Sequence, residues 1–277
     1  AKTVAVLQVN DYVFQSEMCY GVVAQAPLNG LEVVANDIMP FDWSTLGEVE
    51  GNGDSSTIWT EALDRIIALN PDAIAICDYG FGSEFALSYI RSKNWVPKSI
   101  LLSTLYLPFK DPSLLAFVTT PSPYSPRAKF PAQQNFTDSA GFDELVMARY
   151  GKHANNIIAQ ATLAGMIFSE AIWQSSDNTT QAIETSLATS QFSSFMGTPA
   201  FDVHHRQTLS SLVTQYAQST DDTLVVGPAL AASDEFVYPM PSWSERTFNP
   251  KWGSGVEIAG AVLMALGGAV TIGWTIF

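Results

Sequence analysis

The sequence predicts an α/β domain built on a parallel sheet, followed by one transmembrane helix. Near-continuous apolar strands alternate with helical stretches as far as residue 119, the pattern of parallel strands covered on both faces by crossover helices. At the other end, the twenty residues from Ile258 to Phe277 carry no charge. At about 1.5 Å per residue, such a helix spans roughly the 30 Å of a bilayer's hydrocarbon core. Trp252 and Trp274 sit near its two ends, where indole rings favour the interface.

The elements follow in order. Thr3–Val9 is a continuous apolar strand, and Val13–Gln25 reads as a helix. Leu31–Ile38 is the second strand, and the polar, Gly-containing stretch Phe41–Ser56 a surface loop. Ile58–Leu69 has helical spacing, with Ile58, Ala62, Leu63, Ile66 and Ile67 on one side. Ala73–Cys77 is a buried strand, Glu84–Arg91 a helix, Ser99–Leu105 a fourth strand and Leu114–Thr119 a fifth. Thr120-Pro121-Ser122-Pro123-Tyr124-Ser125-Pro126 forbids a helix and stiffens the chain, which suits a hinge. Helices are expected at Phe142–Tyr150, Ala154–Ser175 and Thr180–Thr189. Short strands are expected at Gln191–Phe195, Pro199–Asp202, Thr208–Gln215 and Thr223–Val226. Glu235–Trp252, rich in Pro, Ser and Trp, reads as a tether to the membrane.

Composition narrows the function classes. Aromatic residues at 12% and apolar residues at 47% supply a real core. The net charge of −14 argues against nucleic acid, since no basic stripe is present to neutralise phosphates. It suits a solvent-facing domain on the extracellular or lumenal side. Two cysteines define no disulfide framework. Cys19 in a helix and Cys77 at a strand end fit either a bridge or two small buried side chains. Asn135-Phe136-Thr137 and Asn178-Thr179-Thr180 match the N-glycosylation pattern, so Asn135 and Asn178 are candidate acceptors. Apolar sequence begins at Val4 without a preceding leader, and no basic residue follows the span. The chain therefore reads as an internal fragment, or the ordered part of something longer.

Catalytic motifs are missing: there is no Walker loop, no Gly-x-Ser-x-Gly and no His-Glu-x-x-His. Gly80-Phe81-Gly82 lacks the third glycine of a dinucleotide fingerprint. His204 and His205 are adjacent on a turn and point apart, and His153 stands alone beside Lys152, so no metal site is expected. The expectation is a non-enzyme without a cofactor.

In open parallel sheets ligands sit outside the carboxyl ends of the strands. Those ends carry Asn10-Asp11-Tyr12, Asp78-Tyr79-Gly80-Phe81-Gly82 and Ser103-Thr104-Leu105-Tyr106. The candidate ligand residues are Asp11, Tyr12, Asp78, Tyr79, Ser103 and Thr104, and the first two loops each lead into a helix whose amides can bind an anion. Asp11 and Asp78 equally suit turn or N-cap positions.

The succession of motifs resembles the type I periplasmic-binding-protein fold, in particular the branched-chain amino-acid-binding proteins and the receptor ectodomains related to them. Val4-Ala5-Val6-Leu7 with Asn10-Asp11-Tyr12 looks like the start of that family's second lobe. Asn70-Pro71-Asp72-Ala73-Ile74-Ala75-Ile76 is similar to its next recurring strand, and Arg149-Tyr150-Gly151-Lys152 to its turn before the long returning helix. The run from Phe192 to Asp202 follows its late F-x-G-x-x-x-F-D pattern. The resemblance covers Lys2 to Val226. It implies residues 1–119 as the second lobe, 120–201 as the hinge and returning first-lobe helices, and 202–234 as closing strands. After these come the tether at 235–252 and the transmembrane helix at 253–277.

The family's opening lobe-one βαβα segment is absent, which makes the first lobe incomplete and leaves apolar faces and a sheet edge to be covered. The resemblance also places Tyr12 and Tyr79 where ring contacts to an amino-acid ligand fall. Thr104 stands about where the family can place an acid for the ligand's ammonium, a role open to Asp11 or Asp78. Two functions follow: a membrane-anchored receptor or sensor closing on a small solute, or a non-catalytic assembly subunit using the same fold for protein contacts. A binding protein feeding a transporter fits less well with a C-terminal anchor. Ala261, Ala265, Ala269 and Gly273 recur every four residues and make a small-residue face for packing against other transmembrane helices.

Overall fold

A computed structural model describes residues 1–10, 15–40, 53–103, 109–130, 137–209, 211–217 and 223–246. Asp11, Tyr12, Thr104, Asn135 and the whole span with Ala261, Ala265, Ala269 and Gly273 lie outside the described residues, as does most of the Phe41–Ser56 stretch. Among the described residues no helix is long and apolar enough to cross a membrane. The chain divides into two compact units, one with its described residues at 1–120, 216–217 and 238–246, the other at 121–215 and 223–237.

The first unit is a parallel sheet with helices on both faces. Its strands are β1 (Thr3–Val9), β2 (Glu32–Met39), β3 (Ala73–Cys77), β4 (Ser99–Leu102) and β5 (Thr119–Ser122), in the order β2-β1-β3-β4-β5. β1 pairs with β3 from Val4↔Ala73 to Gln8↔Cys77, and β3 with β4 from Ala73↔Ser99 to Ile76↔Leu102. The period-two geometry of a strand sorts its side chains to the two faces. On one face Ala5, Leu7, Val9, Ile74 and Ile76 pack with Trp59, Leu63 and Ile66 of α2 (Gly53–Leu69) and with Leu87 and Ile90 of α3 (Phe81–Ser92). On the other, Val6, Ala75 and Cys77 meet Cys19 of α1 (Gln15–Gln25). The sulfurs of Cys19 and Cys77 are bonded, 58 residues apart in sequence, and settle the alternatives left open above in favour of a bridge.

Some elements of the first unit depart from expectation, among them α2, which begins at Gly53 inside the stretch read as a loop. The stretch read as a strand at Leu114–Thr119 begins instead with a short 3-10 turn, Pro112–Leu115. Asp111 accepts a hydrogen bond from Ser113 N at 3.0 Å, and Pro112 supplies the φ that starts a helical turn. The strand forms later, at Thr119–Ser122. The presumed tether does not stand free over its described part. Met240 is 4% exposed in the first unit's core, and Trp243 Nε1 donates to the Trp95 carbonyl at 2.7 Å.

The second unit is mainly helical, with α4 (Ser139–Tyr150), α5 (Asn156–Gln174) and α6 (Thr180–Thr189). Each begins at a side-chain cap: Asp138 on Gly141 N, Asn155 on Ile158 N and Thr179 on Ala182 N. Gly151 ends α4 at φ 70°, a left-handed position that glycine takes without strain. The core joins Phe142, Val146, Leu163, Ile167, Phe192 and Phe195, with the Phe142 and Phe195 rings stacked 3.8 Å apart. β6 (Leu212–Tyr216) and β7 (Thr223–Gly227) complete the described strands. The strands expected at Gln191–Phe195 and Pro199–Asp202 are reduced to isolated bridges, Ser194↔Gly197 and Phe201↔Gln207. Gly197 turns the chain back at φ 100°, and Pro199 has no N–H for a ladder.

Candidate ligand site at the carboxyl edge of the sheet

β3 ends at Cys77, so Asp78 is the first residue beyond the sheet, and its carboxyl group turns inward. It is 1% exposed, and Oδ2 accepts from Gly80 N at 2.8 Å and Ser83 N at 2.9 Å. Burial holds its pKa above the ordinary carboxylate value, and the amides of Ser83, Gly80, Tyr79 and Gly82 offset only part of that rise. The aspartate therefore caps α3 from two residues before Gly80. The α3 amides expected to be free for an anion are partly spent on a carboxylate of the chain itself. The two glycines of Gly80-Phe81-Gly82 have local reasons. Gly80 holds φ 137°, and a Cβ at Gly82 would meet the Trp59 ring at 2.5 Å.

Ser103, just past β4, is 2% exposed and links the neighbouring loops. Its Oγ accepts from Asp78 N at 3.2 Å and donates to Oε1 of Gln15, the first residue of α1, which is fully buried. One hydroxyl thus connects the ends of β3, β4 and the start of α1. Tyr79 lies between Asp78 and the α3 turn and is partly exposed. Asp78, Tyr79 and Ser103 are thereby brought together, with Tyr79 the one that reaches solvent appreciably.

Gln15 and Trp59 belong to this edge and were not singled out from sequence. A glutamine at the start of a predicted helix carries no distinctive signal, and the expected apolar side took in Ile58, which is 42% exposed, in place of Trp59. The Ser103 hydroxyl and the Gln15 side chain are buried against each other and hold the loops, which leaves the partly exposed Tyr79 as the side chain of this group that can meet a ligand.

Other candidate residues lie elsewhere. Asn178 is exposed in the turn between α5 and α6, where Asp177 Oδ1 accepts from Thr179 N at 2.8 Å. His153 Nδ1 lies 2.7 Å from Asp143 Oδ2. His204 N donates to Asp202 Oδ1 at 2.8 Å within a tight turn. Among the described residues no cluster of three His, Cys, Asp or Glu side chains could hold a metal ion.

No protein-family model matches the chain, and no curated protein matches it in sequence. Solved structures do match. A leucine-, isoleucine-, valine-, threonine- and alanine-binding protein from Brucella ovis, in a closed conformation, superposes with a TM-score of 0.65 at 15% identity over 92% of this chain and 61% of its own. A leucine-binding protein from Thermotoga maritima gives 0.58 at 18% identity, over 78% of this chain and 58% of its own. A solute-binding protein of an ABC transporter from R. palustris, solved with benzoate, gives 0.58 at 16%, over 85% and 61%. In fold, the chain is similar to the type I periplasmic binding proteins, and it spans about three fifths of the length of the solved structures it matches.

Proposed function

We propose that the chain is the larger part of a small-solute-binding domain that works as a receptor or sensor. The solute is a small carboxylate such as an amino acid. The observation that carries this reading is the fold likeness over 92% of the chain to a protein named for binding five amino acids. The benzoate complex among the neighbours widens the ligand class from amino acids to carboxylates without an ammonium group. Tyr79 supplies the ring contact at the carboxyl edge, joined by Asp11, Tyr12 and Thr104. Asp78 and Ser103 act through the loops they fix. The buried Cys19–Cys77 bond supports folding in an oxidising compartment. That fits an extracellular or lumenal domain anchored through Ile258–Phe277, with Asn135 and Asn178 glycosylated. Equilibrium dialysis against leucine, isoleucine, valine, threonine, alanine and benzoate tests the reading. Retention of at least one supports it, and retention of none contradicts it.

The reading as a non-catalytic assembly subunit draws on a different observation. α5 leaves Ile157 46%, Phe168 49%, Ile172 37% and Trp173 89% exposed, and its single charged residue is Glu170. So apolar a helix face suits contact with another polypeptide. Cross-linking of native membranes, with Phe168→Glu as the comparison, separates the two readings: a partner lost in the variant favours assembly.

A further inference from the structure

Arg246 is a buried cation that the candidate ligand site does not use. It is 8% exposed, and among the described residues neither Nη1 nor Nη2 has a hydrogen-bond partner. Its Nε donates to the Pro241 carbonyl at 2.9 Å, and its guanidinium lies 3.8 Å from the centre of the Trp243 ring. The carboxylate beside it in sequence is engaged elsewhere, since Glu245 Oε2 accepts from Ser242 N at 3.0 Å and from Ser242 Oγ at 2.5 Å. Burial lowers the guanidinium pKa to about 10, which leaves the group charged at neutral pH. A cation withdrawn from water needs a counter-charge as well as hydrogen-bond acceptors. A ring at 3.8 Å stabilises the charge but accepts nothing from the two Nη groups.

The surroundings are built rather than incidental. Trp243 is held by its hydrogen bond to the Trp95 carbonyl, and Met240 N donates to the Lys98 carbonyl at 2.9 Å. Trp95 and Lys98 lead into β4, so this corner lies at the amino-terminal edge of the first unit's sheet, opposite the edge that carries Asp78 and Ser103.

We propose that Arg246 is the binding site for one oxyanion, a carboxylate or a phosphate, held by Nη1 and Nη2 together. The planar fork of a guanidinium matches two oxygens of such a group, and the Trp243 ring and the Pro241 carbonyl hold it in place. The site is separate from the proposed solute site and does not depend on it.

Thermal unfolding of the full chain in sodium chloride, sodium acetate and sodium phosphate, at equal ionic strength and pH, tests this. Phosphate stabilises proteins generally by exclusion from their surfaces. The readout is therefore the rise in Tm over chloride in the wild type beyond the rise in Arg246→Met. A saturable extra rise in acetate or phosphate is expected, as for any ligand that binds only the folded state. The salt that produces it tells a carboxylate from a phosphate. Equal increments in wild type and Arg246→Met, or no increment in either salt, overturn the proposal. Should Arg246→Met fail to fold, Arg246→Lys keeps the charge without the fork. Its increment is expected to fall several-fold, and an undiminished one overturns the site.

Discussion

Cys19 and Cys77 are bonded directly before Asp78, so the last residue of β3 is tied to α1 where the candidate site begins. The bond closes a loop of 58 residues and is almost wholly buried, at 0% and 3% exposure. Its stabilisation is expected at about 2–4 kcal/mol, the usual range for such a cross-link. Urea unfolding of Cys19→Ala/Cys77→Ala against the oxidised wild type measures it. A midpoint that does not move would mean that packing of Met18, Val22 and Val23 alone holds α1 to the sheet.

Asp78 carries the α3 cap. Removing its carboxyl leaves the buried Gly80 and Ser83 amides short of an acceptor, and Asp78→Ala is expected to cost about 1–3 kcal/mol. Asp78→Asn keeps one acceptor oxygen and should cost less. Amide hydrogen exchange localises the effect: protection should fall first in Phe81–Ser92.

Gly82 has no room for a methyl group, since the Trp59 ring would stand 2.5 Å from the added carbon. Trp59 is 1% exposed and cannot swing away freely. Gly82→Ala is expected to destabilise by about 1–3 kcal/mol through overpacking, whereas Gly21→Ala, where nothing lies within 4 Å, should not. Parallel denaturant titrations of the two variants check the contrast.

Asp72 gives the acid limb of stability a defined source. Its carboxyl pKa is lowered from 3.8 to about 2, chiefly by the hydrogen bond from Lys98 and then by the backbone N–H of Lys2. A carboxylate depressed in the folded state binds its proton more readily once unfolded. Its contribution is therefore present above 3.8 and lost as pH falls towards about 2. In Asp72→Asn the stability profile should be flatter across that window, as read by unfolding at a series of pH values.

Much of this fold was legible in sequence because the signals were local. β1 and β3 announced themselves by apolar runs, and α6 has the bounds expected for it, Thr180–Thr189. The return from α4 was legible in Gly151. The pairing of Cys19 with Cys77 was not, because it depends on α1 folding back over the sheet. The strand after Leu105 was misplaced because Leu114 and Leu115 are buried in a 3-10 turn and satisfy the same apolar pattern as a strand. At the site, sequence brought Asp78, Tyr79 and Ser103 to one edge. It offered Asp78 as a turn or N-cap residue as well as a ligand residue, and the capping role is the one the amides of Gly80 and Ser83 fulfil; the two look alike until those amides are in place. Gln15, the partner of Ser103, is set by tertiary packing alone.

Isothermal titration of the folded chain with the amino acid or benzoate retained in dialysis, in wild type and Tyr79→Ala, tests the central claim most directly. Saturable binding by the wild type, weakened at least tenfold in Tyr79→Ala with an unchanged unfolding midpoint, is the predicted result. Binding that Tyr79→Ala leaves intact, or no heat from any of these carboxylates, would contradict a solute site at this edge of the sheet.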